Sequence, residues 1–140
     1  MAFLTPGFLV PITFHYQGAV DNITDVVLGY IHTDCKVFFI DWVVEDANDT
    51  FDTTTLTLEY DTSTDGSTYG TDTEIDSWAT GAGTGTLVQG IQDLDDLTNS
   101  RIALSNPEYG ARVLLTAANV STGADTGLKL TLWVAPLDLS

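Results

Sequence analysis

The sequence predicts an all-β protein, an antiparallel β-sandwich of jelly-roll type with seven to eight strands and an extended N-terminal arm. Three observations carry that expectation. Apolar residues recur with a period of two through most of the chain; clusters of Asp, Asn, Thr, Ser and Gly separate those runs; and sustained helical periodicity is missing. Period two puts each apolar set on one side of a strand, the pattern of a half-buried antiparallel sheet.

The elements follow in order. From Phe8 to Tyr16 the even positions Phe8, Val10, Ile12, Phe14 and Tyr16 are apolar, with Pro11, Thr13 and His15 between them. Proline cannot donate to a ladder, so Pro11 confines this strand to a sheet edge. The residues before it read as an arm able to lie on a neighbouring subunit by strand addition. Asp25–Ile31 is a shorter strand. In Lys36–Asp46 the face Phe38, Ile40, Trp42 and Val44 opposes Val37, Phe39, Asp41, Val43 and Glu45. Thr53–Tyr60 alternates strictly, Leu56, Leu58 and Tyr60 against Thr55, Thr57 and Glu59. Arg101–Leu104 and Ala111–Ala117 are strands, and Leu128, Leu130, Leu132 and Val134 alternate with Lys129, Thr131 and Trp133 in the last one. Ile91, Leu94 and Leu97 share a helical face and suggest one short turn of helix. Thr73–Gln89, with Gly81, Gly83 and Gly85, reads as a loop. Turn clusters at 17–18, 32–35, 46–49, 61–71, 106–110 and 119–127 join the runs. No linker or repeat divides the chain, so residues 1–16 read as arm and edge strand and 17–140 as a single sandwich domain.

Charge excludes several functions. Twenty acidic residues face four basic ones among 140, a net charge of −16. Nucleic acid binding rests on Lys and Arg neutralising phosphates, so no nucleic-acid partner is expected, and an anionic membrane surface is disfavoured on the same ground. Partners are expected among neutral or basic protein surfaces, or cations. Sixteen of the acids are Asp, a bias that suits a saline setting, where salt screens self-repulsion.

Motifs for chemistry are sparse. Cys35 is the single cysteine, which rules out an intrachain disulfide and favours a small buried hydrophobe, although His32 lies three residues away. His15 and His32 have no zinc spacing. Gly81-Ala-Gly-Thr-Gly85 is not followed by the Lys–Ser/Thr of a phosphate loop. Asp61, Ser63 and Asp65, with Gly66 and Asp72, fall at the ligand positions of a calcium loop, but no helices flank them, and an Asp65–Gly66 turn accounts for the same residues. Weak Ca2+ binding there is the one cofactor expectation. No nucleophile elbow is present, and the acids fall on turns and solvent faces, so no enzymatic activity is expected. Met1–Tyr16 lacks the basic and small-residue signals of a leader, and no apolar run is long enough to cross a bilayer. The interface candidates are apolar side chains in the arm and on outward faces: Phe3, Leu4, Phe8, Phe39 and Trp133, with Val37 and Val43 beside Phe39.

Together the segment Asp25-Val-Val-Leu-Gly-Tyr-Ile31, the long strand Lys36–Asp46, its Thr-rich partner Thr53–Tyr60 and the closing hairpin Ala111–Asn119 to Gly127–Val134 resemble the small β-sandwich structural proteins that decorate or cement the capsids of tailed viruses. The resemblance covers residues 23–135 by pattern. It implies a structural, non-catalytic domain on the outer capsid surface, a homotrimer that bridges copies of the major capsid protein; the Asp-rich, Lys-poor composition would suit a virus of a halophilic or marine host. A tail, fibre or turret component of the same particle fits the pattern too. From a different class, a carbohydrate- or cation-binding sandwich module would use the Asp61–Asp72 loop.

Overall fold

A computed structural model describes residues 9–20, 22–46, 54–80, 88–118 and 126–137. They form nine strands: β1 (Val10–Tyr16), β2 (Ile23–Ile31), β3 (Cys35–Asp46), β4 (Thr55–Thr62), β5 (Thr73–Ala79), β6 (Val88–Asp93), β7 (Arg101–Ile102), β8 (Ala111–Ala118) and β9 (Thr126–Pro136). No helix occurs among the described residues. The first sheet runs β1-β9-β3-β6, with β7 on the end of β3; the second runs β2-β8-β4-β5. All ladders are antiparallel.

Among strands adjacent in the chain, β4 and β5 alone pair. Every step from β1 to β4, and the steps from β5 to β6, β7 to β8 and β8 to β9, crosses between sheets. The chain therefore wraps around its own core, which is the winding of a jelly roll. Two expected pairings are corrected by this. Lys36–Asp46 does not pair with Thr53–Tyr60, since β3 and β4 lie in opposite sheets, and the segments 111–119 and 127–134 are not a hairpin, since β8 and β9 do too. Period two tells which way a side chain points, not which sheet its strand joins.

The core lies between the sheets. Ile40, Leu128, Leu130 and Leu132 from the first meet Leu56, Leu58, Ile75 and Leu115 from the second, all fully buried. Each such side chain is worth about 1.5–3 kcal/mol of burial. Trp42 and Trp78 face each other across the layer with ring centroids 6.3 Å apart.

Bulges explain most departures from the expected pattern. Along β3, Val37 pairs with Val134 and Phe39 with Trp133, so Phe38 is an extra residue. The insertion flips the pleat, and Val37, expected outside beside Phe39, is fully buried. Along β5, Asp76 pairs with Leu58 and Glu74 with Glu59, leaving Ile75 extra; consecutive Ile75 and Asp76 are both buried. That broken alternation hid β5 in a stretch expected to be loop. The expected helical turn at 91–97 is instead the end of β6 followed by a turn. Its three-residue spacing was coincidental: Ile91 is 57% exposed on a strand paired with Asp41.

β1 is an edge strand, as Pro11 requires. Residues 1–8, including the arm candidates Phe3, Leu4 and Phe8, lie outside the described residues. Glycine is obligatory where β8 begins. Gly110 has φ +74°, and a Cβ there would stand 2.9 Å from the carbonyl oxygen of Ile31.

Candidate functional site

The two outer sheet faces differ in chemistry. On the first sheet, strand register sets side chains in rows: Pro11, Trp133, Phe39 and Asp93; then Thr13, Thr131, Asp41 and Ile91; then His15, Lys129, Val43 and Gln89. Phe39 and Trp133, both expected as interface residues, stack with centroids 5.5 Å apart and planes 21° from parallel. Both are half-buried within the isolated chain. The Thr13 and Thr131 hydroxyls share a hydrogen bond of 3.0 Å. Beside this pair lie two shallow depressions of about 230 and 330 Å³, the first bounded by Asp41, Val43, Gln89, Lys129 and Thr131, the second by Asp41, Gln89, Gly90 and Ile91. His15 stands on this face opposite Lys129.

The second sheet turns hydroxyls and carboxylates outward, together with the exposed side chains of Val27 and Tyr30. Thr57 and Ser77 share a hydrogen bond of 2.9 Å across β4 and β5. The four residues suggested as a calcium loop separate into different roles. Asp61, 3% exposed, accepts two hydrogen bonds from Arg112, at 2.8 Å from Nε and 2.6 Å from Nη2. The bidentate geometry leaves Asp61 committed to Arg112. Asp65 Oδ1 accepts from the backbone N–H of Ser67 and Thr68 and from the Ser63 hydroxyl. Those donors hold its carboxyl down to about 2. This is the Asp65–Gly66 turn that the sequence offered as the alternative, with Gly66 at φ +79°.

Asp72 lies beside Asp61 and also approaches Asp25 and Glu59, a grouping not foreseen from sequence. Their carboxylate oxygens lie within 4.8 Å of one another. Burial, then the neighbouring carboxylates Asp72, Asp25 and Glu74, raise the Glu59 pKa. Burial, then Asp25 and Asp61, raise that of Asp72. Asp25 sits at φ +51° in the first bulge of β2. Among the described residues these three form the one group of three or more His, Cys, Asp or Glu side chains close enough together to hold a metal ion. The outward position of Glu59 was legible from Thr53–Tyr60, but its neighbours depend on strand order.

No nucleophile stands beside a base among the remaining candidates. Cys35 is buried, and burial, then Asp34, push its thiol up to about 11, far from a thiolate. His32 Nδ1 donates to the Pro107 carbonyl at 3.0 Å and its ring stacks on Tyr30. Asp76 is buried, its pKa raised by burial, with Gln92 Nε2 donating to it at 2.9 Å.

No family model matches the sequence, and no curated protein matches it. Solved structures similar to the chain include that of infectious bursal disease virus strain Gx, at 11% identity and TM-score 0.41 over all of this chain and 37% of that one. A second is the infectious bursal disease virus VP2 subviral particle, at 12% and 0.43 over 97% and 37%. Desmodium yellow mottle tymovirus is a third, at 15% and 0.37 over 100% and 90%. The chain thus spans little more than a third of the length of the first two.

Proposed function

We propose that this chain is a structural protein of a virus particle, carried on the outer capsid surface as a decoration protein that bridges copies of the major capsid protein and associates with itself as a trimer. The fold alone does not decide this, since jelly rolls serve both viral capsids and lectins. The observation that carries the reading is the outward Phe39–Trp133 stack, flanked by Asp41, Asp93 and Lys129, on a chain that is strongly acidic overall. Aromatic residues of that kind anchor protein interfaces when a partner seals them from water. Around it, Pro11, Val43 and Ile91 extend the apolar area. An interface of ~800 Å² per partner, repeated by symmetry, holds a shell firmly even when each contact is modest. The acidic second sheet, facing away, keeps particles apart in solution.

The role is structural rather than catalytic in this reading: the carboxylates that come together do so on an open sheet face, at Asp25, Glu59 and Asp72. The test is to mix the purified chain with undecorated shells of the virus that encodes it. Saturable co-sedimentation and a higher shell rupture temperature are expected. A chain that neither binds shells nor exceeds its 15.0 kDa monomer mass in solution contradicts the proposal. Labelling at the tail or vertices alone would assign it to a tail, fibre or turret instead.

A further inference from the structure

A third surface, away from the aromatic pair, holds a polar depression. Between the loop that leaves β4 and the segment after β7 lies a depression of about 410 Å³ lined by Thr62, Thr64, Asp65, Thr68, Tyr69 and Ser105, with Gly70. Its volume is within the ~300–1,000 Å³ of small-molecule sites. Its lining is unusual in holding four hydroxyl side chains from Thr and Ser, one aromatic ring, no aliphatic side chain and no cation.

The walls are held in place before any ligand arrives. Ser63 and Asp65 lock the turn through the bonds already described, and Ser63 Oγ accepts from the Gly66 N–H at 2.9 Å. The Gly70 N–H donates to the Thr62 carbonyl at 3.0 Å, and the Thr62 and Ser105 hydroxyls meet at 2.7 Å across the mouth. Tyr69 is fixed by the Arg112 guanidinium 3.7 Å from its ring centre, which Asp61 fixes in turn. A preformed wall spares the ordering cost that otherwise weakens small-ligand binding.

The lining selects the ligand by exclusion and by match. An apolar molecule meets hydroxyls that it leaves unpaired. An anion meets Asp65, no lining cation and a chain of charge −16. A metal ion meets a single carboxylate, whose Oδ1 already accepts three hydrogen bonds. A neutral polyhydroxylated molecule matches the lining: it meets hydroxyls that both donate and accept and carries no charge for Asp65 to repel. We propose that this depression binds a neutral saccharide, independently of how the protein attaches to a particle.

The experiment follows amide shifts of the 15N-labelled chain as glucose, galactose, mannose or N-acetylglucosamine is added, with glucuronate and calcium chloride as controls. Saturable shifts confined to residues 62–70 and 105 are expected for at least one neutral sugar, with a millimolar Kd. Thr64→Val with Ser105→Ala should weaken binding at least fivefold with the spectrum elsewhere unchanged; Tyr69→Phe, which keeps the stacked ring, should fold and retain binding. No confined shift with any of the four sugars overturns the proposal, as does calcium or glucuronate binding as well as the best sugar, or unchanged binding by the folded double variant.

Discussion

The two outer faces of this sandwich are built on ladders of the same kind and differ in what stands at their centre. The first presents Phe39 and Trp133 in contact, with Val43 and Ile91 nearby. The second presents Thr57, Ser77 and the Asp25–Glu59–Asp72 carboxylates, plus an Arg112 clamped by Asp61. An aromatic pair gains from being covered; three carboxylates within reach of one another gain from solvent and screening. In the proposed assembly the first face is the one that meets a partner.

The largest effect should come from the clamp. Arg112→Ala leaves Asp61 buried and unpaired, a change that costs about 3–5 kcal/mol in other buried pairs, and because Arg112 is partly exposed the lower end, about 3 kcal/mol, is expected from urea unfolding. The double change Asp61→Asn with Arg112→Leu should cost clearly less, since no bare charge remains. On the other face, Phe39→Ser should cost the isolated chain about 2 kcal/mol, half the burial of one aromatic side chain plus its contact with Trp133. A loss as large as that of Arg112→Ala would erase the distinction between the faces.

The smallest effect concerns pH. Glu59 and Asp72 have folded pKa values above their ordinary values of 4.5 and 3.8, so the folded chain binds more protons than the unfolded one in that window. Their penalty is present above the folded values and is relieved as pH falls through them. Asp65 acts in the opposite sense: the stability from its depressed value is present above 3.8 and is lost as pH falls toward about 2. The melting temperature should therefore rise slightly on acidification from neutral into the upper carboxylate range and fall below it. Glu59→Gln should raise stability at pH 7 by only ~0.5 kcal/mol, given solvent screening, and flatten the rise. A melting temperature that falls steadily from pH 7 contradicts the cluster's role.

Much of this architecture could be read before any coordinates. The inward faces of β1, β4 and β9 follow from strict alternation, and Pro11 placed β1 at an edge. Where a bulge inserts a residue the reading failed, turning Val37 inward and hiding β5 behind adjacent buried Ile75 and Asp76. Sheet membership was out of reach because β8 and β9 are equally amphipathic in either sheet. The carboxylate grouping was unreadable for the same reason, since β2 and β4 meet it from either side of β8. Phe39 and Trp133 were identified singly, by facing away from a core; that they touch depends on the β3–β9 register.

Shell binding by two single variants sets the faces directly against each other. Phe39→Asp, with its circular dichroism spectrum intact, should bind undecorated shells at least tenfold more weakly than the parent chain, and Glu59→Gln should bind unchanged. Full binding by Phe39→Asp together with loss in Glu59→Gln would show that the acidic sheet, not the aromatic one, meets the partner.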